Sequence, residues 1–232
     1  MRRGRQKLVE QWRSDADKIG TDQTAIWTRW VHTKALLGAI VESEAARKHH
    51  EAFYVINFVI SGSMESIVIG IRRQDDENPR AVSLINLLGA LVKDPDAYTI
   101  DHCRQTFADR ARRWKLDRAA QARYVADADL AYTAVADSTG RILDATRVAT
   151  DIRELKRLCE RFRKLANQEI AHRDRTAPKV EVLLGEPDGV MQSLWNLSRK
   201  YTRLFDGGAH GGVPNNCEEM RSLYTFPWLP GG

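Results

Sequence analysis

Hydrophobic residues recur at three- and four-residue steps along most of this chain, which is the spacing of one face of an α-helix. The clearest stripe runs from Phe53 to Ile71 and is wide enough to predict burial on more than one side. Similar stripes predict helices over about 26–41, 82–91, 152–170 and 190–204. Two more polar helices are predicted between Thr99 and Asp137, with a break near Asp117. No segment of useful length shows the two-residue period of a strand.

Turn and capping residues divide the chain into three parts. Thr21 begins the first strong helical stripe, and Asn78 followed by Pro79 predicts the start of a later helix. The Pro187-Asp188-Gly189 sequence predicts a turn before the last helix. We therefore predict an all-α protein, an antiparallel helical bundle over 21–206. A basic arm or short helix over 1–20 precedes it, and an irregular Gly- and Pro-rich tail over 207–232 follows it.

Composition and charge narrow the class of protein. The chain is 43% hydrophobic and 29% charged, which predicts a soluble domain with a substantial core. Its net charge of +5 is compatible with a nucleic-acid partner and does not require one. Three separated cysteines without a CxxC pair favour a reducing cytoplasm over a zinc site or disulfide framework. We expect no metal and no cofactor. We also expect no membrane association, because the longest apolar run is too short to span a bilayer.

Candidate chemistry concentrates near His172, at the end of the predicted 152–170 helix. On a helix, His172 lies within about 20° of Leu165 and so projects toward the apolar face. It is either a histidine satisfied at the edge of the core or a general acid/base whose pKa neighbouring charges adjust. The basic residues around it are either a phosphate-binding cluster or a solvated flank. They are Arg161, Arg163, Lys164, Arg173 and Arg175.

Tryptophan side chains offer a weaker signal of nucleic-acid binding. Trp27, Trp30 and Trp114 are compatible with base stacking, but tryptophans at such positions are more often part of a core. We therefore predict that these three side chains are buried.

The segment from Arg161 to Arg175 resembles the signature of the HEPN superfamily of small helical bundles. In its ribonuclease members an Arg is followed by a polar residue, then by a His after four to six intervening residues. Asn167 matches the polar residue and His172 the histidine. The residue before Asn167 is Ala166 rather than Arg, and Arg163 is the nearest arginine preceding it. This departure bears directly on whether the chain cleaves RNA.

Two further features are similar to the abortive-infection U-type branch of that superfamily. One is the Ala171-His172-Arg173-Asp174 ending. The other is an earlier helix end, where that branch tends to carry an Arg and an Asp and this chain has Arg73 and Asp76. The resemblance covers roughly residues 21–175. It implies Arg73, Asp76 and Asp174 as supporting residues of the same site.

The resemblance implies a metal-independent endoribonuclease of bacterial defence, acting in abortive infection against phage or as the toxin of a toxin–antitoxin pair. His172 would move a proton, Asn167 would position it, and the basic residues would hold RNA. A homodimer and a neutralising protein partner are further implications. Two other hypotheses remain open: a non-catalytic bundle that binds RNA or a protein partner, and a purely structural helical domain.

Overall fold

The computed structural model describes residues 2–42, 50–167 and 186–208. Within these ranges the chain forms helices and no strand, apart from a single bridge between Ala136 and Leu143. The prediction of an all-α helical bundle is confirmed. The helices are α1 (Arg2–Glu42), α2 (His50–Gln74), α3 (Leu84–Lys93), α4 (Ile100–Arg113), α5 (Arg118–Thr133), α6 (Ala145–Leu165) and α7 (Glu186–Asp206).

The first helix is continuous from Arg2 to Glu42, so residues 2–20 form neither a loose arm nor a separate short helix, and no helix starts at Thr21. Val9 and Trp12 begin a buried stripe that continues past Gly20 toward the middle of α1. The Thr21 hydroxyl does not cap a helix, because it donates to the Asp17 carbonyl within the same helix at 2.9 Å. Residues 2–20 thus contribute to the same core as the rest of the bundle.

The third helix begins at Leu84 rather than near Pro79. Ser83 is its N-cap, and the Ser83 side chain accepts a hydrogen bond from the Asn86 backbone N–H at 3.3 Å. The preceding segment, including Asn78 and Pro79, forms turns whose carbonyls accept hydrogen bonds from the Asn86 side chain. These local hydrogen bonds stabilise the turn in place of the helix start that an Asn–Pro pair predicts.

The last helix begins at Glu186, so Pro187 to Gly189 form its first turn instead of a turn before it. Proline is tolerated there because the first backbone N–H groups of a helix have no partner inside it. The Asp188 carboxylate accepts from the Trp30 indole at 2.7 Å and from the Lys34 ammonium at 2.9 Å. These contacts join the start of α7 to α1.

The helices form two groups, a larger one of α1, α2, α3, α6 and α7 and a smaller one of α4 and α5. The long α1 lies against α2 and α7, while α6 packs against α2 and α3. The helices α4 and α5 form a hairpin that packs on α7. Gly70 lies at the contact between α1 and α2, where an added Cβ would lie 2.5 Å from the Ile26 side chain. A larger residue at position 70 would therefore force the Ile26 side chain to shift.

Among the described side chains of α2, those in the second half of the helix are better covered by the rest of the bundle. Ile67 and Ile71 are buried, whereas Phe58 and Val59 are exposed. The expectation of burial on more than one side therefore fails at Phe58 and Val59. None of the described helices has the length and apolar composition that crossing a membrane requires.

Candidate functional site

Apart from Arg73, the predicted site residues that the structure describes lie near the place where the end of α2 meets the end of α6. The two helices contact each other here through the Cys159 thiol, which donates to the Ile71 carbonyl at 3.7 Å, and through ion pairs between their ends. Asn167 lies two residues beyond Leu165, the last residue of α6, and is exposed. The predicted residues His172, Arg173, Asp174 and Arg175 lie outside the described residues.

A guanidinium lies beside Asn167, and it belongs to Arg72. The Arg72 Nε donates to the Asn167 Oδ1 at 3.0 Å. Arg72 follows the buried Val68 by four residues and so continues the covered face of α2, a signal that the sequence contained. Arg73, which the resemblance implied, instead lines a groove between α1 and α2 together with Arg29.

The position at which the resemblance places an arginine is part of the core. Ala166 is only 3% exposed, so a side chain as long as arginine would have to enter the packed interior there. The guanidinium that contacts Asn167 therefore comes from a different helix, across the contact between α2 and α6.

Arg163 pairs with a buried carboxyl. Its Nη1 lies 3.1 Å from the Asp75 Oδ2, and the Asp75 side chain is 0% exposed. The Asp75 Oδ1 has no hydrogen-bond partner among the described residues. Burial raises the pKa of Asp75, although the Arg163 charge opposes that shift. Arg163 is therefore engaged in compensating a buried charge, and Asp75 is a site residue that the sequence did not reveal.

Other cations near the end of α6 also have carboxylate partners. Lys164 pairs with Glu160 at 2.8 Å, and Lys156 pairs with Glu77 across the contact between the helices. The hydrogen bond and charge of Lys156 lower the pKa of Glu77. Arg161 is exposed on the same helix. The described members of the predicted basic cluster, Arg161, Arg163 and Lys164, therefore lie on one helix, but Arg163 and Lys164 are already paired.

Asp76 has a local structural contact. Its Oδ1 accepts a hydrogen bond from the Asn78 backbone N–H at 3.0 Å, and its backbone carbonyl accepts from the Ser83 hydroxyl at 2.8 Å. These bonds shape the turn between α2 and α3. Asp76 follows Asp75 in the sequence, and the structure describes no contact between Asp76 and Asn167.

The tryptophans divide into two groups. Trp27 and Trp30 are buried, as predicted, but Trp114 is 45% exposed at the turn between α4 and α5. The prediction for Trp114 is therefore wrong. The run of basic residues around Trp114 is visible in the sequence and marks this turn as a further candidate surface.

Metal-ligating side chains do not form a cluster within residues 2–42, 50–167 and 186–208. Cys103 and Cys159 are buried thiols, and burial raises the pKa of each to about 12. Such thiols stay protonated at neutral pH and are poor nucleophiles. Cys217 lies outside the described residues.

Comparison with known proteins gives no relative from which to transfer a role: no family model, no curated protein and no solved structure matches this chain. Its function must therefore be inferred from its own residues and their geometry.

Proposed function

We propose that this chain is a metal-independent, HEPN-type ribonuclease-like protein in which Arg72 and His172 act on the same phosphodiester of RNA. The contact between Arg72 and Asn167 carries the proposal. Asn167 is the residue that the resemblance associates with His172, and Arg72 supplies beside it the positive charge that Ala166 lacks. A homodimer acting in bacterial defence is the context that the resemblance implies.

The chemistry divides between an acid/base and a cation. The RNA 2′-oxygen attacks the adjacent phosphorus, and the bond from phosphorus to the 5′-oxygen of the next nucleotide breaks. The products are a cyclic phosphate and a 5′-hydroxyl. His172 accepts the proton of the 2′-hydroxyl or donates one to the leaving oxygen. Because Arg72 uses only Nε toward Asn167, its two terminal nitrogens can donate to the phosphate oxygens that gain charge.

The test is cleavage of a labelled single-stranded RNA by the full chain in the presence of EDTA. We expect cleavage by the natural sequence and none by His172→Ala. Arg72→Ala should slow cleavage by roughly 100-fold, which is typical for loss of one preorganised charge-stabilising group. Arg72→Lys should recover part of that loss. Arg153→Ala, which removes an exposed cation elsewhere on α6, is the matched control and should cleave normally.

Two results would contradict the proposal. Cleavage that persists in His172→Ala would remove this histidine from the chemistry, and cleavage that EDTA abolishes would indicate a metal-dependent reaction.

RNA binding without cleavage is the second candidate function. The burial of Ala166 and the pairing of Arg163 with Asp75 favour it, because they leave neither position with an arginine free to reach a phosphate. The same assay decides between the two functions. Binding of intact RNA by the natural sequence, with no products after prolonged incubation, would support the binding function.

A further inference from the structure

The turn between α4 and α5 is a dense basic segment outside the proposed site. Residues 109–123 contain six basic and two acidic side chains, a net charge of +4, while the whole chain carries +5. The acidic residues are Asp109 and Asp117. The basic residues are Arg110, Arg112, Arg113, Lys115, Arg118 and Arg123.

Both carboxylates of this segment are already occupied. Asp109 pairs with Arg112 on the same helix, and the Asp117 side chain caps α5 by accepting from the Ala120 N–H at 2.8 Å. Arg113, Lys115 and Arg118 are exposed, and no carboxylate within the described part of the chain forms an ion pair with them. Their positive charge is therefore available to a partner.

An exposed aromatic ring lies among these cations. Trp114 is 45% exposed. The Arg110 guanidinium carbon lies 5.6 Å from its ring centroid, and the Tyr124 ring lies 5.5 Å away at an interplanar angle of 57°. These contacts support the indole while almost half of its surface remains open. Cations that track phosphates, combined with an aromatic ring that stacks on a base, are how proteins bind single-stranded nucleic acid.

The backbone also shows that the fold does not require a lysine in this turn. Lys115 has φ of 54°, in the left-handed region that glycine usually occupies at a helix end. The Leu116 N–H donates to the Ala111 carbonyl at 3.2 Å, and the Lys115 N–H donates to the Arg112 carbonyl at 3.0 Å. These bonds complete the end of α4 through the backbone alone, so the Lys115 side chain is free to contact a partner.

We propose that Arg113, Trp114, Lys115 and Arg118, here called the hairpin tip, bind single-stranded RNA outside the cleavage site. The cations contact phosphates, and Trp114 stacks on a base. The proposal rests on the proposed function in taking RNA as the partner. The two surfaces lie on different helices: the hairpin tip belongs to α4 and α5, whereas Arg72 lies at the contact between α2 and α6. An anionic membrane fits less well, because interfacial binding uses several apolar side chains and Trp114 is the one large exposed apolar residue in the 109–123 segment.

The experiment measures binding of the full chain to a fluorescent RNA of about 20 nucleotides whose 2′-hydroxyls are all methylated. This probe cannot be cleaved through its 2′-oxygen, so binding is observed independently of catalysis. Fluorescence anisotropy is recorded between about 50 and 200 mM KCl, a range in which phosphate contacts weaken strongly. The matched control removes three exposed cations elsewhere, in the triple variant Lys93→Ala, Arg141→Ala and Arg153→Ala.

The triple variant Arg113→Ala, Lys115→Ala and Arg118→Ala should bind at least about tenfold more weakly and lower the slope of log affinity against log salt by about 2. Trp114→Ala should weaken binding roughly fivefold, and Trp114→Phe should recover part of that loss. Lys115→Gly should weaken binding while the protein melts at the same or a higher temperature. The control triple variant should bind within about twofold of the natural sequence, as expected if position matters more than total charge.

Three outcomes would overturn the inference. The first is that the hairpin-tip triple variant binds RNA as the natural sequence does. The second is that both triple variants lose affinity equally. The third is that the hairpin tip governs binding to phosphatidylserine vesicles instead of RNA. Failure of the proposed function looks different. The cleavage proposal fails if RNA is never cleaved or if His172→Ala cleaves unmodified RNA normally. If the tip variants still lose affinity in either case, this inference stands. If His172→Ala stops cleavage and the tip variants bind normally, the reverse holds.

Discussion

The end of α6 and the hairpin tip both carry several basic residues, yet the structure uses their charges differently. Near the end of α6, Lys156, Arg163 and Lys164 each pair with a carboxylate, and one of those carboxyls is completely buried. At the hairpin tip, Arg113 and Lys115 are exposed and have no carboxylate partner among the described residues. The first group stabilises contacts within the protein, and the second presents net charge to solvent.

This difference teaches that the density of basic residues in a sequence does not measure the charge available to a ligand. A paired cation has lost much of its ability to attract a phosphate, because its partner cancels its field at a short distance. An unpaired cation keeps that field within a Debye length of the surface. Substitutions in the two groups should therefore affect different properties, stability for the end of α6 and RNA affinity for the hairpin tip.

The largest stability effect should come from Arg163→Ala. This change leaves the buried Asp75 carboxyl without its cation, so we expect a loss of about 2 kcal/mol in the free energy of unfolding. That is less than the about 3–5 kcal/mol seen for fully buried pairs, because Arg163 is half-exposed and Asp75 can bind a proton instead. Urea denaturation measures it. Arg113→Ala is the control and should leave the unfolding midpoint unchanged. Equal small effects of both variants would erase the distinction between the two groups.

Lys115→Gly should have a smaller effect of opposite sign. Glycine accepts the left-handed conformation of residue 115 without the Cβ penalty, but it also gives the unfolded chain more freedom. We expect a gain of up to about 1 kcal/mol in the free energy of unfolding, measured by thermal denaturation. A clear loss of stability would mean that the Lys115 side chain contributes to the fold, and the comparison with α6 would then weaken.

The pH dependence of stability should reveal the buried carboxyl at the end of α6. Because burial raises the pKa of Asp75 above 3.8, the folded protein holds this proton more tightly than the unfolded chain does. Ionisation of Asp75 therefore costs stability. The cost is absent below about pH 3.8 and complete above the raised pKa. The difference in unfolding free energy between the natural sequence and Asp75→Asn should fall as the pH rises through this window. A difference independent of pH would show that the carboxyl is not buried as described.

The smallest effect should come from Lys156→Ala. Its pair with Glu77 is exposed, with side-chain accessibilities of 46% and 58%, so solvent screens it strongly. We expect a loss of a few tenths of a kcal/mol that disappears in about 1 M salt. Chemical denaturation by urea at low and high NaCl measures it. A loss well above 1 kcal/mol would place Lys156 with Arg163 as a structural cation.

Much of the fold could be read from the sequence, but the site could be read only in part. The helical stripes and the break near Asp117 correctly predicted helices in the regions of α2, α4, α5 and α6. The start of α3 was missed, because Asn86 binds carbonyls of the preceding turn. In the site, Asn167 was identified from its motif, whereas Arg72 was passed over for its neighbour Arg73. Only the packing of α2 on α6 shows which of the two side chains reaches Asn167.

By itself the sequence determined that this chain is helical, because the 3.6-residue repeat of apolar side chains is a local property. It also determined where positive charge is dense. The tertiary structure alone decided which of those charges are compensated. Asp75 and Arg163 are 88 residues apart in the chain, and they pair only because α2 and α6 bury the carboxyl between them. Burial and pairing depend on such distant neighbours, and a local pattern contains no information about them.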